Sequence, residues 1–458
     1  MLWLLPSALA SQAWLVQESS PVHTKTALTL IYSADEPLRA GDLVVVREPI
    51  LHGMRWAKSG YLQTDPQACT PLSEDGDTAS VGLVRASAPE AELSLTHSVN
   101  GPGIHELGEI TVEVLSGSVQ ELTIELGVEA GGCGWQTPDR AMERLQLRIF
   151  ENLQGEETEL DPVELSFLPE DEVVSKVVFA PSQAVVGEQV LLRVAPLDRW
   201  GNVALDRKVR EESISFPAPG VFRVELEGQL SNPVRVTVEP TERQIYWGDL
   251  HTHHGHSWWT EEGDWHDANH AYGRDVMGLD FGCESVKASD HELESEELWE
   301  RVQRSCEVYT QVDDYVALLG FEWMGGSFEG HHNVYYETCS GPLGLMDWET
   351  VSEDLFPFLA EQRDAGQMVL TIPHAPSFTG YNWTAADEEL RPVAEVYSEW
   401  GNSMEPQRKG SVPEGLALGQ RLGFVASSDN HDGWLGNGLA EKNSPGGLAA
   451  VVATELSS

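Results

Sequence analysis

The sequence predicts a multidomain protein in which N-terminal all-β sandwich domains precede an α/β domain. Three observations carry this prediction. Short alternating runs of Val, Ile, Leu and Thr fill the chain as far as Pro240. From Gln244 onwards, helix-like and strand-like segments alternate. All but four of the 15 histidines (His23, His52, His97 and His105) fall between His251 and His431. A chain of 458 residues has room for two or three domains, each with its own core.

Residues 1–22 open with MLWLLPSALASQA, a short apolar run containing an Ala8-Leu9-Ala10 triplet that resembles a signal-peptidase site. The basic stretch that normally precedes such a run is missing, so the expectation is a partial signal segment on an exported protein, periplasmic or extracellular. Residues 23–168 carry TALTLIYSA, DLVVVRE, AELSLTHSV, EITVEVLS, ELTIELGVEA and LQLRIFENL between clusters of Gly, Pro, Asp and Ser. That texture reads as an antiparallel sandwich. An acidic stretch from Glu151 to Glu172 reads as a linker.

Residues 173–240 repeat the β texture on a smaller scale, in KVVFAP, QVLLRVAPLD, GVFRVELEG and PVRVTVEP, and read as a small immunoglobulin-like domain. Residues 244–458 form the third part. Helices are expected over Asp267–Met277 and Glu292–Gln311, whose acidic starts suit the helix dipole. Strands are expected at Val316–Phe321, Met368–Ile372, Val393–Tyr397, Phe424–Ser427 and Leu448–Ala453. Such repetition implies a parallel sheet or barrel with its site at the strand C-terminal ends.

Composition excludes several function classes. With 28 basic against 74 acidic residues, the formal charge of −46 argues against nucleic-acid partners, which need a basic face. No run approaches ~18 consecutive apolar residues, so no membrane span is expected. Five cysteines leave at least one unpaired, and none sits in a CxxC pair, which disfavours a zinc–thiolate site. No GxSxG elbow or P-loop occurs.

The chemistry-bearing residues gather at the ends of the late strands. His251 and His253 end YWGDLHTH, and i, i+2 positions of a strand share a face and can grip one ion. Asp290 and His291 follow in KASDHE, Glu322 ends LLGFE, His331 and His332 open GHHNVYY, His374 ends TIPH, and Asp429 and His431 lie in FVASSDNHDG. Buried polar groups are costly unless paired or metal-bound, so the accumulation points to a metal site. Histidines with a bridging carboxylate suit zinc, manganese or iron better than calcium. Two such ions can bridge a hydroxide for in-line displacement.

DLHTH, SDH, GFE, GHHN, IPHA and SDNH, in this order, resemble the motifs of the PHP (polymerase and histidinol phosphatase) superfamily. The chain is most similar to a large uncharacterised branch of it, a domain of unknown function preceded by β-rich sequence. The resemblance covers roughly residues 244–458. It implies a distorted (β/α)7 barrel with two or three divalent ions and phosphoester hydrolysis. By motif, His251, His253, Glu322 and Asp429 would hold the first ion, and His291 and His431 the second. Glu322, His331 and His374 would hold the third, with His331 preferred to His332. Asp290 would orient His291, and His374 could donate a proton if it is not metal-bound.

Two departures from the family pattern stand out. The ligand normally found seven or eight residues after the first histidine is replaced by Trp258 and Trp259; His256 is the first choice to substitute, with Glu261, Asp264 and His266 as alternatives. For His254 and His266 the competing reading is an ordinary surface histidine. The chain also stops at Ser458, soon after the expected last strand, where the family continues; the expectation is a C-terminally truncated domain.

Trp258, Trp259 and Trp383 flank the motifs and are candidate substrate-wall residues. Lys287, Arg391 and Arg421 are the cations nearest the motifs in sequence. The functional expectation is a metal-dependent phosphoesterase acting on a small-molecule or phosphoester substrate. Its rivals are a metal-dependent ester or amide hydrolase and a non-catalytic binding protein with a vestigial metal site.

Overall fold

The computed structural model describes residues 11–21, 24–48, 78–81, 84–99, 108–126, 135–136, 141–253, 265–287, 296–311, 314–326, 329–344, 350–385, 387–405, 410–430, 434–437 and 446–457. His256, Trp258, Trp259, Asp290, His291 and His431 lie outside the described residues, as do Cys69 and Cys133. The chain divides into two compact units, one within residues 1–170 and the other built from 171–257 and 263–458.

The first unit is all-β among its described residues. One sheet runs in the order Gln12–Leu15, Leu28–Leu38, Val119–Leu126, Val84–Ser87, Thr78–Val81. A second runs Ser19–Pro21, Val163–Leu168, Met142–Leu153, Leu43–Glu48, Gly108–Ser116, Glu92–Val99. Alternation makes the core. Leu28, Leu30 and Tyr32 point inward beside Leu122, Ile124 and Leu126, while the residues between them face out. The Tyr32 hydroxyl donates to Glu151 Oε2 at 2.7 Å, joining the two sheets.

The second unit begins with two three-stranded sheets. One holds Ser175–Phe179, Gln189–Leu197 and Arg210–Ser215; the other holds Gln183–Val185, Val234–Thr237 and Gly220–Phe222. Leu192, Phe216, Val234 and Val236 form their core. This β module packs directly on the C-terminal part of the same unit. Ala195 and Leu197 share a cluster with Tyr272, Val276 and Trp434, and the Tyr272 hydroxyl donates to Gly201 O at 2.9 Å. Gly278, at φ 68°, lies so close to the module that a Cβ would meet the Phe179 ring at 1.9 Å.

The remainder is built on a seven-stranded sheet of order Val369–His374, His331–Tyr336, Val316–Met324, Phe281–Glu284, Gln244–Thr252, Ala449–Ala453, with Val286–Lys287 also paired to Val316–Met324. A separate sheet joins Gly401–Asn402, Val393–Ser398 and Gly423–Ala426. The expected distorted (β/α)7 barrel does not form. The described residues are 47% strand and 14% helix, and their sheets curl into half-barrels. Only Gln244–Thr252, Phe281–Glu284, Val286–Lys287 and Val316–Met324 pair in parallel within the large sheet. His331–Tyr336 runs antiparallel to both of its neighbours, and Ala449–Ala453 antiparallel to Gln244–Thr252.

The physical reason lies in one connection. Parallel neighbours need a crossover of about a dozen residues or more, whereas the turn between Met324 and His331 is short and glycine-rich, so the chain folds straight back as a hairpin. GHHNVYY is thus a strand in its own right.

Two helices pack on this sheet near the expected segments: Trp265–Ala271, which runs on into a π-helical turn over Tyr272–Met277, and Glu296–Tyr309. A disulfide joins Cys306 to Cys339, and Cys283 is a buried free thiol. No helix among the described residues is long and apolar enough to cross a membrane.

Burial of His270 has a measurable consequence. Its Nδ1 lies 3.0 Å from the Tyr315 hydroxyl, and burial pushes its pKa down from 6.5 to about 4 despite the opposing charge of Asp267. The unfolded chain therefore binds a proton between those values and the folded protein does not, so stability is complete above pH 6.5 and falls as the pH drops towards 4. Urea unfolding in EDTA should show a loss of roughly 2–4 kcal/mol over that window. His270→Gln should flatten it; an unchanged acid limb in that variant would assign the loss to other groups.

Candidate metal centre

The site is assembled where Gln244–Thr252 ends against the segment after Gly423–Ala426. Asp429 N donates to His251 O at 2.7 Å and His253 N to Asn430 O at 2.8 Å, so the two backbones zip together. Asp249 locks this junction. It is fully buried, and it accepts from Ser428 N, Gly436 N, His251 N and the Thr252 hydroxyl. Asp429 itself sits at φ 52°, a left-handed conformation that aspartate tolerates better than most residues and that marks strain at a functional position.

Six of the expected ligands converge. His251 Nε2 lies 2.9 Å from His253 Nε2, and Asp429 Oδ1 lies 3.4 Å from the former and 3.5 Å from the latter. Glu322 divides its carboxylate. Oε2 is 3.0 Å from His253 Nε2, while Oε1 is 2.8 Å from His331 Nδ1 and 2.9 Å from His374 Nε2. His374 Nδ1 faces Asp429 Oδ2 at 3.6 Å. Three overlapping groups result, His251/His253/Glu322, Glu322/His331/His374 and His251/His374/Glu395/Asp429, each with ligand atoms mutually within 4.8 Å.

The donor set could hold a metal ion. His251 Nδ1 faces Glu395 Oε2 at 3.1 Å. If it carries the ring proton, the His251 Nε2 lone pair points at His253 Nε2 and Asp429 Oδ1. Such atoms repel unless a proton or cation sits among them. Separations of 2.9–3.5 Å bracket the edge of about 3.3 Å expected for a tetrahedron with 2.0–2.1 Å bonds.

Electrostatics agree. Burial alone would raise the pKa of Glu322, but His374 and His253 hold it well below the usual carboxylate range. Burial would raise Asp429 too, but His251 outweighs it and holds that carboxyl well below its ordinary value. Burial lowers His374, yet Glu322 and Asp429 overcome it and raise the group to about 10; His253 is raised too, by Glu322 against its own burial. In the absence of a cation these imidazoles hold protons that an incoming metal must displace.

His331 and His332 show why only one of them reaches the site. Adjacent strand residues point to opposite faces. His331 is the direct cross-strand neighbour of His374, whereas His332 turns into a pocket of Trp323, Phe356 and Tyr381, with Nδ1 3.0 Å from the Thr371 hydroxyl. Burial, and then Arg391, push His332 well below the ordinary histidine pKa.

Two readings need correction. Trp383 does not line a substrate wall: it is only 3% exposed, packs with Tyr381, Ala394 and Val412, and donates its indole N–H to Gly410 O at 2.8 Å. Arg391, one of the cations nearest the motifs in sequence, is committed to the fold. It is fully buried among aromatic rings and bonded to the Tyr381 hydroxyl, Ala385 O and Gln420. His266 is not a surface histidine; it is buried, with Nδ1 2.8 Å from Glu284 Oε2. Glu284 is the strand neighbour of Thr252, but His266 joins none of the three convergent groups.

Sequence reasoning passed over two residues of this site. Glu395, in VAEVYS, is buried behind His251, receives the Ser427 hydroxyl as well as facing the imidazole, and among the described residues has no hydrogen-bond partner at Oε1. A carboxylate behind a ligating histidine fixes its tautomer and raises its basicity. Asp249 was legible as the first residue of DLHTH, yet nothing local marks it as the acceptor for a segment nearly 180 residues away.

Residues 277–411 match a family described as "Protein of unknown function (DUF3604)". The matched span includes Glu322, His331, His374 and Glu395, and leaves out His251, His253 and Asp429. No curated protein matches the chain.

Proposed function

We propose that this protein is a metal-dependent hydrolase of the PHP type, and that phosphoesters are its substrates. The observation that carries the reading is the convergence of His251, His253, Glu322, His331, His374 and Asp429 on a largely buried point at which ligand atoms face one another. The motif order DLHTH, GFE, GHHN, IPHA, SDNH supports the PHP assignment. His251, His253, Glu322 and Asp429 would hold one ion, with Glu322 extending to a second between His331 and His374. Bound zinc, manganese or iron supplies Lewis-acid charge and lowers the pKa of water to a useful range.

The chain's own residues do the rest. Glu395 keeps the His251 Nε2 lone pair turned inward. His331, whose side chain is 27% exposed while its partners are nearly buried, marks the side from which a substrate reaches the centre. Lys287 favours a phosphoester. It is the cross-strand neighbour of Glu322, and its charge is felt at His253, so a cation stands near the place where an anionic group would dock. His374 Nε2 faces Glu322 and Nδ1 faces Asp429, so in this reading the ring serves as a ligand and not as the proton donor. The Cys306–Cys339 disulfide favours an oxidising compartment and hence export.

A panel of aryl phosphates, aryl esters and anilides, assayed with zinc, manganese and iron, tests the substrate class. Phosphate release well above the metal-free background is expected. Clear ester or anilide turnover without phosphate turnover would select carbonyl chemistry, and no turnover on any arm would favour a binding protein.

A further inference from the structure

A second site lies away from the metal centre, in a cleft of about 800 Å³ between the small β module and the early part of Gln244–Thr252. Its volume is in the range of small-molecule pockets, which favour such boundaries between packed modules. The walls are apolar, with Phe179, Val190, Trp247, Met277 and Leu279 among the lining residues.

Charge in the cleft runs against that of the chain. Three arginines line it, Arg193, Arg223 and Arg274, against two carboxylates, Asp280 and Asp314, in a protein with 28 basic and 74 acidic residues. Asp280 is already engaged, since Trp247 N donates to its Oδ2 at 2.7 Å. Arg193 and Arg274 have carboxylate partners, Glu211 and Asp275. Arg223 differs, because its guanidinium donates to a backbone carbonyl, Ser231 O, at 3.2 Å. A guanidinium held by a neutral oxygen retains its charge and its remaining N–H donors for an anion.

We infer that this cleft binds a small organic anion, with an aromatic or aliphatic body against Trp247 and Met277 and a carboxylate, sulfonate or phosphate on Arg223. The site needs no metal and does not depend on the hydrolase reading.

Two probes of similar shape test it in EDTA: 8-anilinonaphthalene-1-sulfonate, which is anionic, and N-phenyl-1-naphthylamine, which is neutral. The sulfonate should bind at one equivalent per chain and more tightly than the amine. Arg223→Ala should weaken the sulfonate about tenfold or more and leave the amine unchanged. Met277→Trp, which fills the cleft, should weaken both. Thermal unfolding checks each variant, and Arg223→Gln takes the place of Arg223→Ala if the latter unfolds. Equal affinity for the two probes, or sulfonate binding indifferent to the arginine and Met277 variants, would overturn the inference.

Discussion

Glu322→Ala is expected to remove bound metal and to lower aryl phosphate turnover by about a thousandfold or more, corresponding to roughly 4 kcal/mol of transition-state stabilisation. The size follows from where the carboxylate stands. Its two oxygens are shared among His253, His331 and His374, so a single truncation breaks both of the groups that contain it. Removing a buried anion from beside raised imidazoles also weakens their hold on their protons, and leaves Asp429 as the remaining carboxylate facing the rings. Glu322→Gln keeps the shape and one acceptor, and so separates charge from packing. It should retain the fold in EDTA while losing metal as the alanine variant does. A glutamine variant that keeps full metal and turnover would show that the carboxylate is not a ligand.

Glu395→Gln should weaken metal binding by about 10- to 100-fold, the range typical for residues that orient ligating histidines. Glu395 faces His251 Nδ1, the ring nitrogen opposite the Nε2 that meets His253 and Asp429, so its effect passes through the imidazole. Glutamine can still accept a hydrogen bond from Nδ1, but it no longer raises the basicity of Nε2. Metal affinity measured against a competing chelator should fall, and unfolding of the metal-free protein should change little. Glu395→Asp should restore part of the affinity. A purely structural role would give the opposite pattern, with metal-free stability lost and affinity intact.

The sequence made much of the site legible and much less of the fold around it. His251, His253, Glu322, His374 and Asp429 sit at or just past strand ends, and a short motif encodes both the strand and the ligand that ends it. The motif resemblance singled out His331 over His332, and strand alternation is the physical reason that only one of the two faces the site. Long-range decisions are not written locally. The direct hairpin from Val316–Met324 to His331–Tyr336 replaces a crossover, and that one turn is enough to defeat a (β/α)7 arrangement. Glu395 looks like an outward-facing charge in an alternating strand; its burial is decided by His251, 144 positions earlier. Trp383 misleads for a similar reason, since a tryptophan beside a motif reads as a wall until Tyr381 and Gly410 are seen to enclose it.

The most direct measurement is the metal content of the purified protein by elemental analysis, after zinc or manganese reconstitution and exhaustive dialysis. The wild-type chain should retain at least one equivalent of transition metal, and Glu322→Ala should retain little or none. A folded wild-type protein that holds no metal after reconstitution, or a Glu322→Ala variant that holds as much as wild type, would contradict a metal centre at these residues.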